Sequence, residues 1–431
     1  MTQDEAGGNG TVDDTVEEEA PEPTLLAEPE GGTPSVTDTL EALAEVVALF
    51  AAGTGPVAVD AERASGFRYG QRTYLAQFKR AGAGIALIDA SALPDLSALS
   101  RALGDAEWVL HAASQDLPGL RDLHMDPAHV FDTELAARLL GWPKVGLASV
   151  VERELGFGLA KEHSAQDWSE RPLPLDWLTY AALDVELLLD LRDGLERHLD
   201  AAGKLGWAHQ EFEAVRLAGP SEPRIDPWRR TSGTHTLRDR RSLAIVKELW
   251  QAREEAARGR DIAPGRVLRD AAIVAAAQAK PATLTALLEV REWQSRGTKK
   301  RADQWYVAIE RAMALPESAL PPMRGPGGDG PPQARAWAEK RPEAAVRLDA
   351  AKGVVQRLTE RHALPPENLL QPDALRRLCW EYAGGGEGSV RAFLAGRGAR
   401  PWQIDLVAAP LAQAFDEVAA APDPGAAPAD R

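Results

Sequence analysis

Short apolar runs alternate with amphipathic stretches over residues 37–215, and helical patterning alone continues to residue 418. This predicts an α/β domain built on a mixed sheet with flanking helices, followed by two all-α helical domains. Three observations carry the prediction. Val57-Ala58-Val59-Asp60-Ala61-Glu62 reads as a short buried strand. Residues 72–79 and 84–89 read as two adjacent strands around Gly82 and Gly84, which suit a hairpin turn. From about Pro227 onward the strand signals stop.

In order, Leu40, Leu43, Val46, Val47 and Phe50 space a helix over 37–52, and residues 53–56 (Gly-Thr-Gly-Pro) end it. A helix over 96–103 leads to a strand at 108–110, which ends at His111. Ser114 suits the N-cap of a helix over 114–123, and Val130-Phe131 forms a strand running into Asp132. Helices follow at 133–140 and 147–155, with one long helix over 175–199 whose first turn suits Pro174. The next helices fall at 237–258, 266–279, 281–288 and 302–314. Residues 316–335, with Pro316, Pro321, Pro322, Pro326, Pro331 and Pro332, read as a semi-stiff linker. Residues 262–268 align in pattern with 364–370, and 283–288 with 389–394, which suggests that the two helical blocks are duplicates.

The expected domain bounds are 1–36, 37–220, 221–318, 319–335, 336–418 and 419–431. The first of these is an acidic tail with few large apolar residues, expected to be disordered, and the last a flexible tail. Residues 1–40 hold 11 Asp and Glu and no Lys or Arg, whereas residues 224–315 hold 19 Lys and Arg against 11 Asp and Glu. The net charge of -16 therefore conceals a basic module. No apolar run is long enough to span a bilayer, and the acidic N-terminus does not resemble a signal peptide. Cys379 is the single cysteine, which excludes an internal disulfide and a Cys-based zinc site; a cytoplasmic setting is expected.

Asp60 and Glu62 lie two apart and so share one face of their strand. Burying two acids is costly unless a positive charge sits between them; the alternative is a solvated strand mouth. Asp116 follows the strand ending at His111, and Asp184 lies four residues after Tyr180 on one helix face. Each of these residues alone has an ordinary explanation, such as a helix cap. Together, four carboxylates from separate elements with a phenol beside one of them suit a two-metal hydrolytic site. An all-oxygen donor set fits Mg²⁺ or Mn²⁺, and Tyr180 would orient the attacking water.

This set resembles ribonuclease D, one of the 3′→5′ exonucleases named for four acidic metal ligands. Asp60-Ala61-Glu62 resembles the first motif, residues 111–117 the second, and residues 180–184 the third in its tyrosine form. Lys161, residues 167–173 and Asp132 match further family positions, and Ala61 departs where many relatives have Thr. The helical blocks resemble the helicase-and-ribonuclease-D C-terminal (HRDC) domain, the first closely and the second loosely.

The resemblance implies a ribonuclease H-like mixed sheet and two divalent ions held by Asp60, Glu62, Asp116 and Asp184. It also implies a monomeric enzyme trimming RNA 3′ ends, such as those of precursor tRNA, and releasing nucleoside 5′-monophosphates. His111, Arg63, Tyr69, Lys161, Arg229 and Arg230 are the expected substrate contacts. Arg68, Trp228, Arg240 and Arg241 are further candidates to touch or clamp a strand, while Trp250 and Trp305 are expected in a core. A DNA exonuclease on the same fold and a catalytically silent nucleic-acid-binding scaffold remain as alternatives.

Overall fold

The structure, a computed structural model, describes residues 23–159, 163, 165–220, 222–325 and 330–420. The disorder expected of the acidic tail concerns chiefly residues 1–22, which lie outside the described residues, as do 421–431 of the C-terminal tail. Within the tail's expected bounds, β1 (Thr24–Leu26) pairs in parallel with β8 (Phe157–Leu159). β2 (Val36–Thr37) adds an edge to the main sheet, so the ordered chain begins before residue 37. Both strands are too short to show an alternating pattern in sequence.

Thr39 caps α1 (Leu40–Ala52), its hydroxyl accepting from the Ala42 amide. β3 (Thr54–Arg63), β4 (Thr73–Ala81) and β5 (Gly84–Asp89) form an antiparallel meander. β6 (Glu107–Leu110) and β7 (His129–Asp132) extend it in parallel, giving the order β2-β5-β4-β3-β6-β7. The hairpin expected at Gly82 and Gly84 is present, and both glycines have the positive φ the turn requires.

One sheet face packs on α1, α2 (Ser97–Leu103) and α3 (Leu117–Asp122), burying Val57, Val59 and Ala61. The other packs on α4 (Thr133–Leu139), α5 (Leu147–Leu155), α6 (Leu175–Glu186), α7 (Leu188–Ala201) and α8 (Leu205–Leu217). The single long helix expected over 175–199 is two helices broken at Leu187. No Pro or Gly causes the break. Lys79 Nζ donates to the Glu186 carbonyl and pairs with the buried Glu186 carboxylate at 3.3 Å, so the sheet takes an acceptor that a continuous helix would use.

The first helical block has its own core around Trp228, Trp293 and Trp305, with Trp250 packed partly buried against it. It comprises α9 (Arg240–Arg258), α10 (Pro264–Val267), α11 (Asp270–Ala279), α12 (Leu284–Glu289), α13 (Arg296–Lys299) and α14 (Ala302–Ala314). After α15 (Trp337–Lys340) come α16 (Pro342–His362), α17 (Pro366–Leu369), α18 (Pro372–Glu381), α19 (Gly386–Ala395) and α20 (Pro401–Ala420). The run α9 to α11 matches α16 to α18 closely. In both, a four-residue helix ends on an extended leucine, Leu268 or Leu370.

The two blocks attach differently. The second shares one apolar core with α4, α5, α7 and α8, and Trp207 stacks on Trp402 with centroids 4.8 Å apart. The first docks by polar contacts onto the loop after β3, where the Ala263 amide donates to the Phe67 carbonyl at 2.9 Å. The proline-rich linker is pinned at both ends: Arg229 and Arg240 donate to the Pro322 and Pro321 carbonyls, and Arg376 and Trp337 to that of Pro332.

Candidate active site

β3 aligns Val57 and Ala58 with Trp108 and Val109 of β6, so its last residues run beyond the end of β6. Asp60 and Glu62 project there, opposite Gln77 and Leu75 of β4, and the ladder shifts register between Glu62 and Arg63. α6 crosses this face and brings Asp184. Oxygens of Asp60, Glu62 and Asp184 lie within 4.8 Å of one another, close enough to hold one cation. Acids at the carboxyl ends of parallel strands occupy the usual crevice of an open α/β sheet.

Asp116 joins the cluster from the turn after β6. The helix expected to start at Ser114 starts at Leu117, and Asp116 stands at its N-cap without bonding any helix amide. Its carboxylate is instead 3.8 Å from the Arg63 guanidinium and feels the charge of Asp60. Asp132 shows the opposite behaviour. It is almost fully buried and accepts from the Ala112, Ala113, Glu134 and Leu135 amides. It therefore pins the turn that presents Asp116 while capping α4.

The cluster's electrostatics follow from burial and mutual repulsion. Burial pushes the Asp60 carboxyl up to about 6. Burial and then the Asp60 charge push Asp116 up to about 8. Glu62 and Asp184 are raised well above the carboxylate range, first by burial and then by neighbouring carboxylates. The Tyr180 hydroxyl faces the Asp184 carboxylate and partly stabilises its ionised form. Burial first, then that charge, raise the phenol further above its ordinary value, so it stays protonated at neutral pH.

The expected substrate contacts separate. Arg63 sits at the cluster's rim, its Nη1 donating to the Gln115 carbonyl at 2.9 Å. His111 bonds Thr133 Oγ1 at 2.9 Å; burial lowers it to about 4, leaving it neutral. Tyr69 joins the docking of the first helical block, its amide donating to Asp261 and its hydroxyl accepting from Arg258. Arg68 donates to Ser169. Arg229 bonds Asp226 and covers Trp228, which is buried and offers no stacking face. Arg240 and Arg241 donate to carbonyls of residues 312–321 and are spent on closing their own domain. Arg230 is exposed, and Lys161 lies outside the described residues.

Two features of the site were missed in sequence. Gln77, fully buried and directly opposite Asp60, has no partner for either polar atom among the described residues. Trp168 is fully buried with its ring centroid 6.4 Å from that of Tyr180. An isolated Gln between apolar residues carries no motif. Trp168 fell within a recognised segment, but its contact partner was not readable.

Comparisons with known proteins place the whole chain in a family. Residues 34–200 match a family described as 3′-5′ exonuclease, 242–309 an HRDC domain, and 330–415 a 3′ to 5′ exonuclease C-terminal domain. A ribonuclease D of Acidiphilium cryptum is 32% identical over 352 residues, covering 75% of this chain and 85% of that protein. Ribonuclease D of Escherichia coli is 28% identical over 88% of this chain and 97% of its own. Among solved structures, a protein from Bifidobacterium adolescentis superposes with a TM-score of 0.82 at 42% identity, covering 92% of this chain and 100% of that one. The structure of Escherichia coli RNase D, titled an exoribonuclease involved in structured RNA processing, gives 0.63 at 27% identity over 89% and 98%. The chain belongs to the ribonuclease D family.

Proposed function

We propose that this chain is a hydrolytic 3′→5′ exoribonuclease that trims structured RNA, such as precursor tRNA, to release nucleoside 5′-monophosphates, and that it works as a cytoplasmic monomer. The observation that carries this reading is the convergence of Asp60, Glu62 and Asp184 within 4.8 Å, with Asp116 and Tyr180 at the edge. No described helix is long and apolar enough to cross a membrane.

The donor set fits divalent cations. Every ligand atom is a carboxylate oxygen, and buried acids with raised pKa values are stabilised as anions only when positive charge joins them. Asp60, Glu62, Asp116 and Asp184 would hold two Mg²⁺ or Mn²⁺ ions, which when bound polarise the phosphodiester and lower the pKa of the attacking water. Tyr180, protonated at neutral pH, holds that water by hydrogen bonding and does not serve as a base. Arg63 steadies Asp116 and closes the rim.

Incubation with Mg²⁺ and 3′-tailed RNA or matched DNA, beside an Asp60→Asn control, tests the reading. RNA shortening abolished in the variant supports it. Preferential DNA shortening would support a DNA exonuclease, and binding without cleavage a scaffold. The ribonuclease D relatives favour neither of these.

A further inference from the structure

Gln77 sits in the middle of β4, the strand beside β3. Its chain neighbours Ala76 and Phe78 turn to the core shared with α1 to α3, whereas Leu75 turns to α6 and packs with Leu178, Ala181 and Ala182. Side chains alternate along a strand, so Gln77 lies on the α6 side with Leu75, the side that Asp60 also faces. There it stands opposite Asp60 of β3 on one ladder and Leu87 of β5 on the other. Glu62 is one step farther along, opposite Leu75, and Lys79 is engaged by Glu186. Asp60 is therefore the directly opposed side chain that can bond an amide. Such pairs hold their Cβ atoms about 4.5–5.5 Å apart, within reach of a glutamine side chain.

The carboxamide is fully buried, and neither Nε2 nor Oε1 has a hydrogen-bond partner among the described residues. Taking an amide out of water without a partner is unfavourable, and an apolar side chain of similar shape would avoid that cost in the metal-free chain. Packing alone therefore does not account for a glutamine at this position. A carboxylate that ligates a cation keeps lone pairs free for a donor, and a donor held beside it fixes its orientation and strengthens its grip on the ion.

Resting on the reading of this chain as a metal-dependent exoribonuclease, we propose that Gln77 is a positioning residue whose Nε2 donates to the Asp60 carboxylate and holds it ready to ligate a divalent cation. The amide thus lowers the stability of the metal-free fold and raises its affinity for the cation. A residue that serves packing does neither.

The test uses the full chain with Gln77→Met, which keeps the length of the side chain and removes both polar atoms. Phe78→Leu, on the opposite face of β4, is the structural control; Phe78 is fully buried and meets Phe50 edge-on at 6.3 Å between centroids. Calorimetry reads Mn²⁺ affinity, and thermal unfolding in chelator reads Tm. Gln77→Leu serves the same comparison should methionine overpack the site.

Gln77→Met is expected to weaken Mn²⁺ binding about tenfold or more, with a chelated Tm equal to or above that of the parent. Phe78→Leu is expected to do the reverse, lowering Tm and leaving Mn²⁺ affinity unchanged. Unchanged Mn²⁺ affinity in the Gln77 variants overturns the proposal. So does a chelated Tm lowered by both of them, or a chain that folds with neither, because the amide would then hold the fold itself. Failure of the underlying reading shows separately. A parent that binds Mn²⁺ but does not shorten RNA in Mg²⁺ sinks that reading alone, and a parent that binds no Mn²⁺ sinks both.

Discussion

Asp116 and Asp132 both begin helices, yet only Asp132 caps one. Its four amide bonds fix the turn, and Asp116 is left free to face the acids. Tyr180 stands beside Asp184, its hydroxyl facing that carboxylate, and in the proposed function it orients the attacking water. Tyr180→Phe should lower kcat by about 10- to 100-fold, the loss of one water-orienting hydrogen bond, with Mn²⁺ affinity by calorimetry unchanged. Loss of metal affinity would make the phenol a structural part of the cage.

The cluster's proton affinity gives a second prediction. Asp60 and Asp116 rise from 3.8 to about 6 and about 8, so between pH 4 and 8 the folded state binds more protons than the unfolded. Stability of chelator-treated protein therefore falls as pH rises through that window. Thermal unfolding should show a lower Tm at pH 8 than at pH 5 in chelator, and Mn²⁺ should raise Tm more at pH 8. A chelated Tm independent of pH would contradict it. The acids were readable because the chemistry demands carboxylates in a set order. Gln77 was not, since β4 is buried on both faces and lacks a polar alternation to mark a site-facing residue.

Among elements, β3 and α6 make the site. β3 was legible as an apolar run with two acids at its end, but its extension beyond β6 depends on register, which no single strand encodes. The break after α6 was invisible because its cause is Lys79, more than a hundred residues away in the chain. The α4–α5 loop meets the second helical block at Gly141, where φ is +72° and a Cβ would lie 2.3 Å from the Ala363 carbonyl. Gly141→Ala should cost about 2–4 kcal/mol by urea denaturation, combining left-handed strain with overpacking. A cost below about 1 kcal/mol would mean that the junction gives way easily.

For the whole molecule, composition separated the mixed-sheet domain from the helix-rich region that follows it. It did not show that the second block completes the exonuclease core while the first has its own. Amphipathic faces reveal that a helix is covered, not by what. The core shared by α4, α5, α7, α8 and α16 to α20 should unfold as one cooperative unit. Calorimetry should then resolve that transition from one for the first helical block, and Trp402→Ala should lower only the former, by about 3–5 kcal/mol of stability. A shift of both transitions would show that the polar docking couples them.

Stepwise 3′ trimming is tested by a time course with 5′-labelled RNA in Mg²⁺, with chromatography of the released products. A ladder shortening one nucleotide at a time from the 3′ end is expected, with nucleoside 5′-monophosphates as product and loss of both in Asp60→Asn. Internal fragments, or a ladder that persists in the variant, would contradict it.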